Sequence, residues 1–147
     1  VAELPKTGVS GATRWLSPDK ALIQLSLRYK SDDQLWFSFF HEVGHLLLHG
    51  KKEVFIEGNG LDVEKEAEAN RYAADSLIPL GKLRALLAVG RPSLAQVEAF
   101  AAEISIAPGI VVGRLQKEGV YDHKIGNGLK RRLCWASVKA DDNPLSI

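Results

Sequence analysis

The sequence predicts an α+β domain, with strands in its N-terminal part and a mainly helical C-terminal half. Three observations carry this reading. Residues 13–30 hold a turn followed by strict apolar–polar alternation. SDDQ at 31–34 then opens a long segment with helical start signals. From residue 62 onward, helix starts and stops recur at short intervals.

Each element follows in order. Residues 1–11, VAELPKTGVSG, have linker composition, with proline, two glycines and no sustained period. TRWLSPDKALIQLSLRYK reads as a hairpin about SPDK, where Pro18 suits the second turn position. Beyond the turn, Ile23, Leu25, Leu27 and Tyr29 alternate with Gln24, Ser26 and Arg28, as in a half-buried strand. SDDQ predicts a capping box, Ser31 reaching forward and Gln34 back, with Asp32 and Asp33 favourable to the helix dipole. That helix runs to about His49, and Gly50 supplies a left-handed stop. Its apolar residues nearly encircle it, which predicts a central, buried helix.

A short strand at 54–56 ends in a Gly-Asn-Gly turn. Helices follow at about 62–77, stopping before Pro79, and at 80–88. Ser93 caps the next, with Gln96 three residues on and Val97, Phe100, Ala101 and Ile104 as its apolar stripe. A last helix starts near Pro108 and ends at Gly119. Residues 129–140 are expected to add a strand, and 141–147 to fray.

The 147 residues fit a single domain, 1–147. A net charge of +1 argues for neither nucleic acid nor an anionic membrane, and no apolar run approaches the roughly 20 residues that span a bilayer. Cys134 is the only cysteine, compatible with a reducing, cytoplasmic setting. A start at Val1 and the absence of methionine are what a C-terminal piece of a longer protein would show, with a region missing upstream.

The chemistry lies in FFHEVGHLLLHG, residues 39–50, where His41, Glu42, His45 and His49 interrupt an apolar run. Two histidines four apart on a helix differ by about 40° of rotation and 6 Å of rise, so both rings leave one face. That spacing lets two imidazole nitrogens meet one zinc ion. Glu42 stands aside from the pair, within reach of a water that the metal acidifies, as the HExxH spacing requires. Chance arrangement of these residues would give HExxH roughly 0.007 times in such a chain. The alternative is a pair of structural histidines on a partly exposed face.

Two histidines leave a third protein ligand to be found. His49 lies about 12 Å of rise beyond His41 on a straight helix, too far for one ion to touch both. It is expected to cap the helix end or bond a neighbouring carbonyl. In EKEAEANRYAAD, the acidic residues Glu64, Glu66 and Glu68 lie close together, and one is expected to turn inward. Ala67, Ala69, Ala73 and Ala74 are small enough to let this helix approach the first. Asn70 shares a face with Glu66 and could orient a zinc-bound histidine.

HEVGHLLLHG at 41–50 followed by EAEANRYAADSLIP at 66–79 resembles the ImmA/IrrE family of zinc metallo-endopeptidases. The family pattern is HExxH with a downstream ExEAN or ExEAD, then an aromatic residue and paired alanines. The preceding strand and ISIAPGIVVGRLQKEG are also similar to members fused to an N-terminal helix-turn-helix domain. The resemblance covers most of the chain. It implies a zincin-like fold, a small twisted sheet beside a central HExxH helix, and one Zn2+. It implies His41, His45 and Glu66 as ligands, with Glu68 the fallback, and Glu42 as general base. Asn70 stands where related zincins often have aspartate, in an orienting role. Such members cut or regulate a repressor partner. For an oxyanion donor, Tyr72, Tyr121 and His123 are available, and no spacing rule selects among them.

Three functions compete. The first is a cytoplasmic zinc endopeptidase whose substrate is a protein partner. The second keeps the metal without turnover, as the sensing or protein-binding domain of a transcriptional regulator whose missing N-terminal part binds DNA. The third makes SLAQVEAFAAEISIAPGIVVGRLQ itself a DNA-reading helix-turn-helix. Against the third, the would-be recognition helix offers Ile110, Val111, Val112 and Leu115 and only Arg114 as a polar reader, so no nucleic acid is expected through this domain. Lys130, Arg131 and Arg132 are expected on a solvated face.

Overall fold

A computed structural model describes residues 10–49, 55–56, 63–88 and 90–134. Strands β1 (Gly11–Ser17) and β2 (Lys20–Leu25) form the expected hairpin, paired from Gly11↔Leu25 to Ser17↔Lys20 with an irregularity after Trp15. A two-residue strand, β3 (Phe55–Ile56), pairs antiparallel with the other edge of β1, giving the order β2-β1-β3. Gly58, Asn59 and Gly60, the expected turn after it, lie outside the described residues.

The alternation seen in the sequence outlasts the strand. β2 ends at Leu25, and Tyr29 is exposed. The chain turns at Leu27, whose carbonyl accepts from Lys30 N at 3.1 Å, and Lys30 adopts a positive φ of 49°. That turn redirects the backbone into α1 (Asp32–Leu48) before the apolar side chains can continue on one sheet face.

At the start of α1, Ser31 has the extended backbone of an N-cap but makes no side-chain cap bond, so the predicted capping box is absent. The C-terminal segment takes its place. Asp32 Oδ1 accepts from both Asp33 N and Arg131 N at 3.0 Å, Asp32 N donates to Arg131 O, and Ser31 bridges to Arg132. Lys130 Nζ lies 2.7 Å from Asp33 Oδ2, so Lys130 is an ion-pair partner, while Arg131 and Arg132 are exposed. The strand expected over 129–140 is replaced, within its described part, by this single bridge and a 3-10 turn at Asn127–Leu129.

α1 is central, touching β1, β2 and two helices, and its most buried positions are mainly polar. Its buried residues are Asp32, Asp33, His41, Glu42, Gly44 and His45, whereas Trp36, Leu47 and Leu48 are exposed. The polar residues meet partners from other elements, whereas Leu35, Phe37, Phe39, Phe40, Val43 and Leu46 are half-buried.

The second half is helical: α2 (Val63–Leu77), α3 (Leu80–Leu87), α4 (Leu94–Glu103) and α5 (Pro108–Lys117). The Ser93–Gln96 capping box of α4 is complete, with Ser93 Oγ accepting from Gln96 N and Gln96 Oε1 from Ser93 N. Ile78, Leu83, Val97, Phe100, Val111 and Leu115 belong to one apolar core. α4 and α5 meet at 117°, within the helix-turn-helix range. α5 is buried along most of its length, with Ile110, Val111, Val112 and Leu115 turned into the protein. Among the described residues, no single helix is long and apolar enough to cross a membrane.

Candidate metal centre

Close approach of two helices builds the site. At Gly44 in α1, a methyl group would lie 3.1 Å from Ala69 Cα and 3.3 Å from Tyr72 Cβ. Ala69, in this contact, and Ala73 are fully buried, whereas Ala67 is exposed and Ala74 half-buried. Small side chains facing one another let helix backbones come near enough for a carboxylate on one to reach rings on the other.

What converges there is a triangle of donor atoms. His41 Nε2 and His45 Nε2 are 3.0 Å apart. Glu66 Oε2 lies 3.3 Å from His41 Nε2, and Glu66 Oε1 lies 3.3 Å from His45 Nε2. A tetrahedral ion bound at about 2.0–2.2 Å by such donors would hold them about 3.3–3.5 Å apart. Only small adjustments separate the observed triangle from that geometry.

The surroundings of the rings also favour a cation. His41 Nδ1 lies 3.0 Å from Asn70 Oδ1, an acceptor, which assigns the His41 proton to Nδ1 and leaves Nε2 bare. His45 is pushed down to about 4 from its usual 6.5, first by burial and then by the charges of His41, His49 and Lys65, so it is neutral at pH 7. Neutral imidazole is the form that ligates. One ligand atom from each of His41, His45 and Glu66 lies within 4.8 Å of the others, close enough to share one ion. The residues present therefore fit a metal ion.

Glu42, one residue from His41, is buried with its carboxylate against β1; a methyl group at Gly11 would lie 2.5 Å from Glu42 Oε1. Glu68, the fallback ligand, turns to His49 instead, with Oε2 3.1 Å from His49 Nε2. His49 is the C-terminal cap of α1, as expected, but its ring goes to Glu68 and to His45 Nδ1, 3.0 Å away, rather than to a carbonyl. The reading of the sequence missed this arrangement, although His41, His45 and His49 at four-residue spacing share one helical stripe.

The three candidate oxyanion donors are scattered. Tyr121 is buried in the helical core with its hydroxyl donated to Pro92 O at 2.7 Å, which removes it from consideration. His123 is exposed in the turn after α5, where its carbonyl accepts from Gln116 and Asn127. Tyr72 packs across Gly44 in the α1–α2 seam. Among the described residues, none of the three is hydrogen-bonded to His41, His45 or Glu66. A cavity of about 370 Å³ opens between α1, α2 and α5, lined by Phe37, Asn70, Arg71, Ile78, Ile110 and Arg114 among others. Asn70 is thus common to the cavity wall and to the donor cluster.

An HExxH helix whose histidines face a glutamate of the next helix, beside a small antiparallel sheet, defines a metallopeptidase-like domain of α+β class. The family model of the IrrE N-terminal-like domain, Peptidase M78, matches residues 2–116. The chain belongs to this family. No curated protein and no solved structure is a match to the chain.

Proposed function

We propose that this domain is a zinc-dependent endopeptidase acting on a protein partner such as a repressor or regulator. The observation that carries the reading is the triangle of His41 Nε2, His45 Nε2 and Glu66, with distances of 3.0 and 3.3 Å. In this reading those three side chains hold one zinc ion, and Asn70 orients the His41 ring. When bound, the ion supplies Lewis-acid chemistry, polarising a peptide carbonyl and acidifying water. Glu42 is the general base: its carboxylate takes the proton of the attacking water and returns it to the departing amide nitrogen. Burial of Glu42 beside His41 supports that role. We assign the protein to the cytoplasm, in keeping with its single cysteine. We place any DNA binding outside this domain, a reading supported by the burial of most of α5.

The reading is tested by metal analysis of the purified protein beside His41→Ala and Glu66→Gln. Zinc in the parent and its loss from both variants is the expected result; equal zinc in all three removes the site. Glu42→Gln should keep the metal and abolish cleavage of a co-expressed partner.

A second reading, a non-hydrolytic zinc-binding sensing or protein-interaction domain, draws support from the cavity, whose size falls within the range of small-ligand sites. Retained partner binding, with no cleavage by parent or Glu42→Gln protein, would favour it.

A further inference from the structure

The chain His45–His49–Glu68 leads away from the donor triangle into residues that the endopeptidase reading leaves without a role. We infer that His49 and Glu68 act as positioning residues for His45, holding its proton on Nδ1 so that Nε2 faces the metal as a lone pair. The inference rests on the reading that His41, His45 and Glu66 bind zinc.

Its basis is the order of donors and acceptors. Glu68 Oε2 lies 3.1 Å from His49 Nε2, and an ionised carboxylate only accepts, so His49 Nε2 carries a proton and donates it. With the Nε2 proton given to Glu68, the other ring nitrogen of His49, Nδ1, is the acceptor of the imidazole. That nitrogen lies 3.0 Å from His45 Nδ1, and two nitrogens at this distance need one proton between them. The proton belongs to His45, which donates to His49. His45 Nε2 is thereby turned to the donor triangle, 3.0 Å from His41 Nε2 and 3.3 Å from Glu66 Oε1, where the ion would stand in place of the proton that this second nitrogen pair also needs. Asn70 Oδ1 gives His41 the same assignment through a different acceptor. A histidine ligand whose remote N–H is fixed in this manner loses less freedom on binding and is a stronger base.

His49 lies one turn beyond His45 on the same helix face, and its amide still donates to His45 O at 3.1 Å. α1 stops at Leu48, and His49 has extended dihedrals, φ −114° and ψ 145°. Its ring folds back over the last turn, 5.1 Å from the His45 ring centre, with both side chains almost wholly buried. Burial matters because a hydrogen bond shielded from water discriminates between tautomers more strongly than an exposed one. Glu68 is more than half exposed, so it anchors His49 from the rim of the site.

The test measures zinc affinity of the whole chain by competition with a chelator, alongside nitrogen-15 NMR of the His45 ring. His49→Leu keeps an apolar volume but no acceptor, and should weaken zinc binding about 10–100-fold. His49→Asn places an amide oxygen near the lost Nδ1 and should recover most of that loss. Glu68→Ala, a change at an exposed side chain, should weaken binding in the same direction but less. The metal-free parent should show His45 protonated at Nδ1, and His49→Leu a mixture of tautomers. Zinc affinity of His49→Leu and Glu68→Ala within about twofold of the parent, in folded protein, overturns the relay. So does an unmixed tautomer signal in His49→Leu. Failure of the parent itself to bind zinc is a different result, and removes the metal reading along with the relay.

Discussion

Gly44 of α1 faces the backbone of Ala69 in α2 so closely that a methyl group on Gly44 would lie 3.1 Å from the Ala69 Cα. The partner atom is backbone, so it cannot swing away as a side-chain tip would. This contact sets how deeply α2 sits against α1, and therefore whether Glu66 can reach both rings.

Gly44→Leu should accordingly push the helices apart, cost about 1–3 kcal/mol of stability and weaken zinc binding at the same time. Gly81 in α3 is the control, because a methyl group there meets nothing within 4 Å. Gly81→Ala should raise stability by about 0.5–1 kcal/mol and leave zinc binding alone. Denaturant midpoints and zinc titrations of the two variants check both statements.

A metal that binds only the folded chain must stabilise it. Zinc at about 100 times its dissociation constant adds about 2.7 kcal/mol, which for a domain of this size raises the melting temperature by about 5–10 °C. Chelation should reverse the rise, and Glu66→Gln should show little of it. Calorimetry with and without chelator reads the shift.

The metal-free protein should lose stability in mild acid. Folding lowers the His45 pKa to about 4, through burial and the charges of His41, His49 and Lys65, with the Glu66 carboxylate facing the ring from α2. An unfolded histidine takes up its proton near 6.5, so between pH 6.5 and 4 the unfolded chain holds more protons than the folded one. Stability therefore rises with pH across that window and falls as the pH drops through it. Urea midpoints of chelated protein should show this slope, and His45→Phe should flatten it.

Gly11 leaves room for Glu42, whose Oε1 would be 2.5 Å from a methyl group there. Gly11→Ala should displace the carboxylate while leaving the donors on α1 and α2 in place. Zinc content should be retained and partner cleavage reduced about tenfold or more, short of the roughly 10²–10⁴ that general-base removal costs. Loss of metal in this variant would show that Glu42 and the donors are not separable.

At the far end of α1, Lys130 Nζ pairs with the buried Asp33 carboxylate at 2.7 Å. Lys130→Met should cost about 2–3 kcal/mol by stranding that charge, and Asp33→Asn in the same chain should restore part of it. Chemical denaturation of the single and double variants measures the coupling. An additive double variant would mean that the pair contributes nothing jointly.

Much of this architecture can be read from local patterns. The hairpin about Pro18, the helix from Asp32, the Ser93–Gln96 cap and the common face of His41 and His45 all depend on residues within about four positions of one another. Spacing of that kind is written directly into the chain. What spacing leaves open is the choice among partners. Glu66 meets both rings while Glu68, two residues on, turns to His49, because the depth and rotation of α2 against Gly44 decide which carboxylate points inward. Ser31 lacks its side-chain cap bond because Arg131, distant in sequence, brings its backbone to Asp32 at the helix end. Tyr121 is committed to Pro92 by core packing that no local signal announces. His49 departs furthest from its expected role: helical rise keeps it from the metal, but four-residue spacing sets its ring against His45, and the packing of α2 brings Glu68 to its other nitrogen. Sequence alone determined which donors exist and which share a face; the tertiary structure decided which of them meet, because that depends on how separate helices pack.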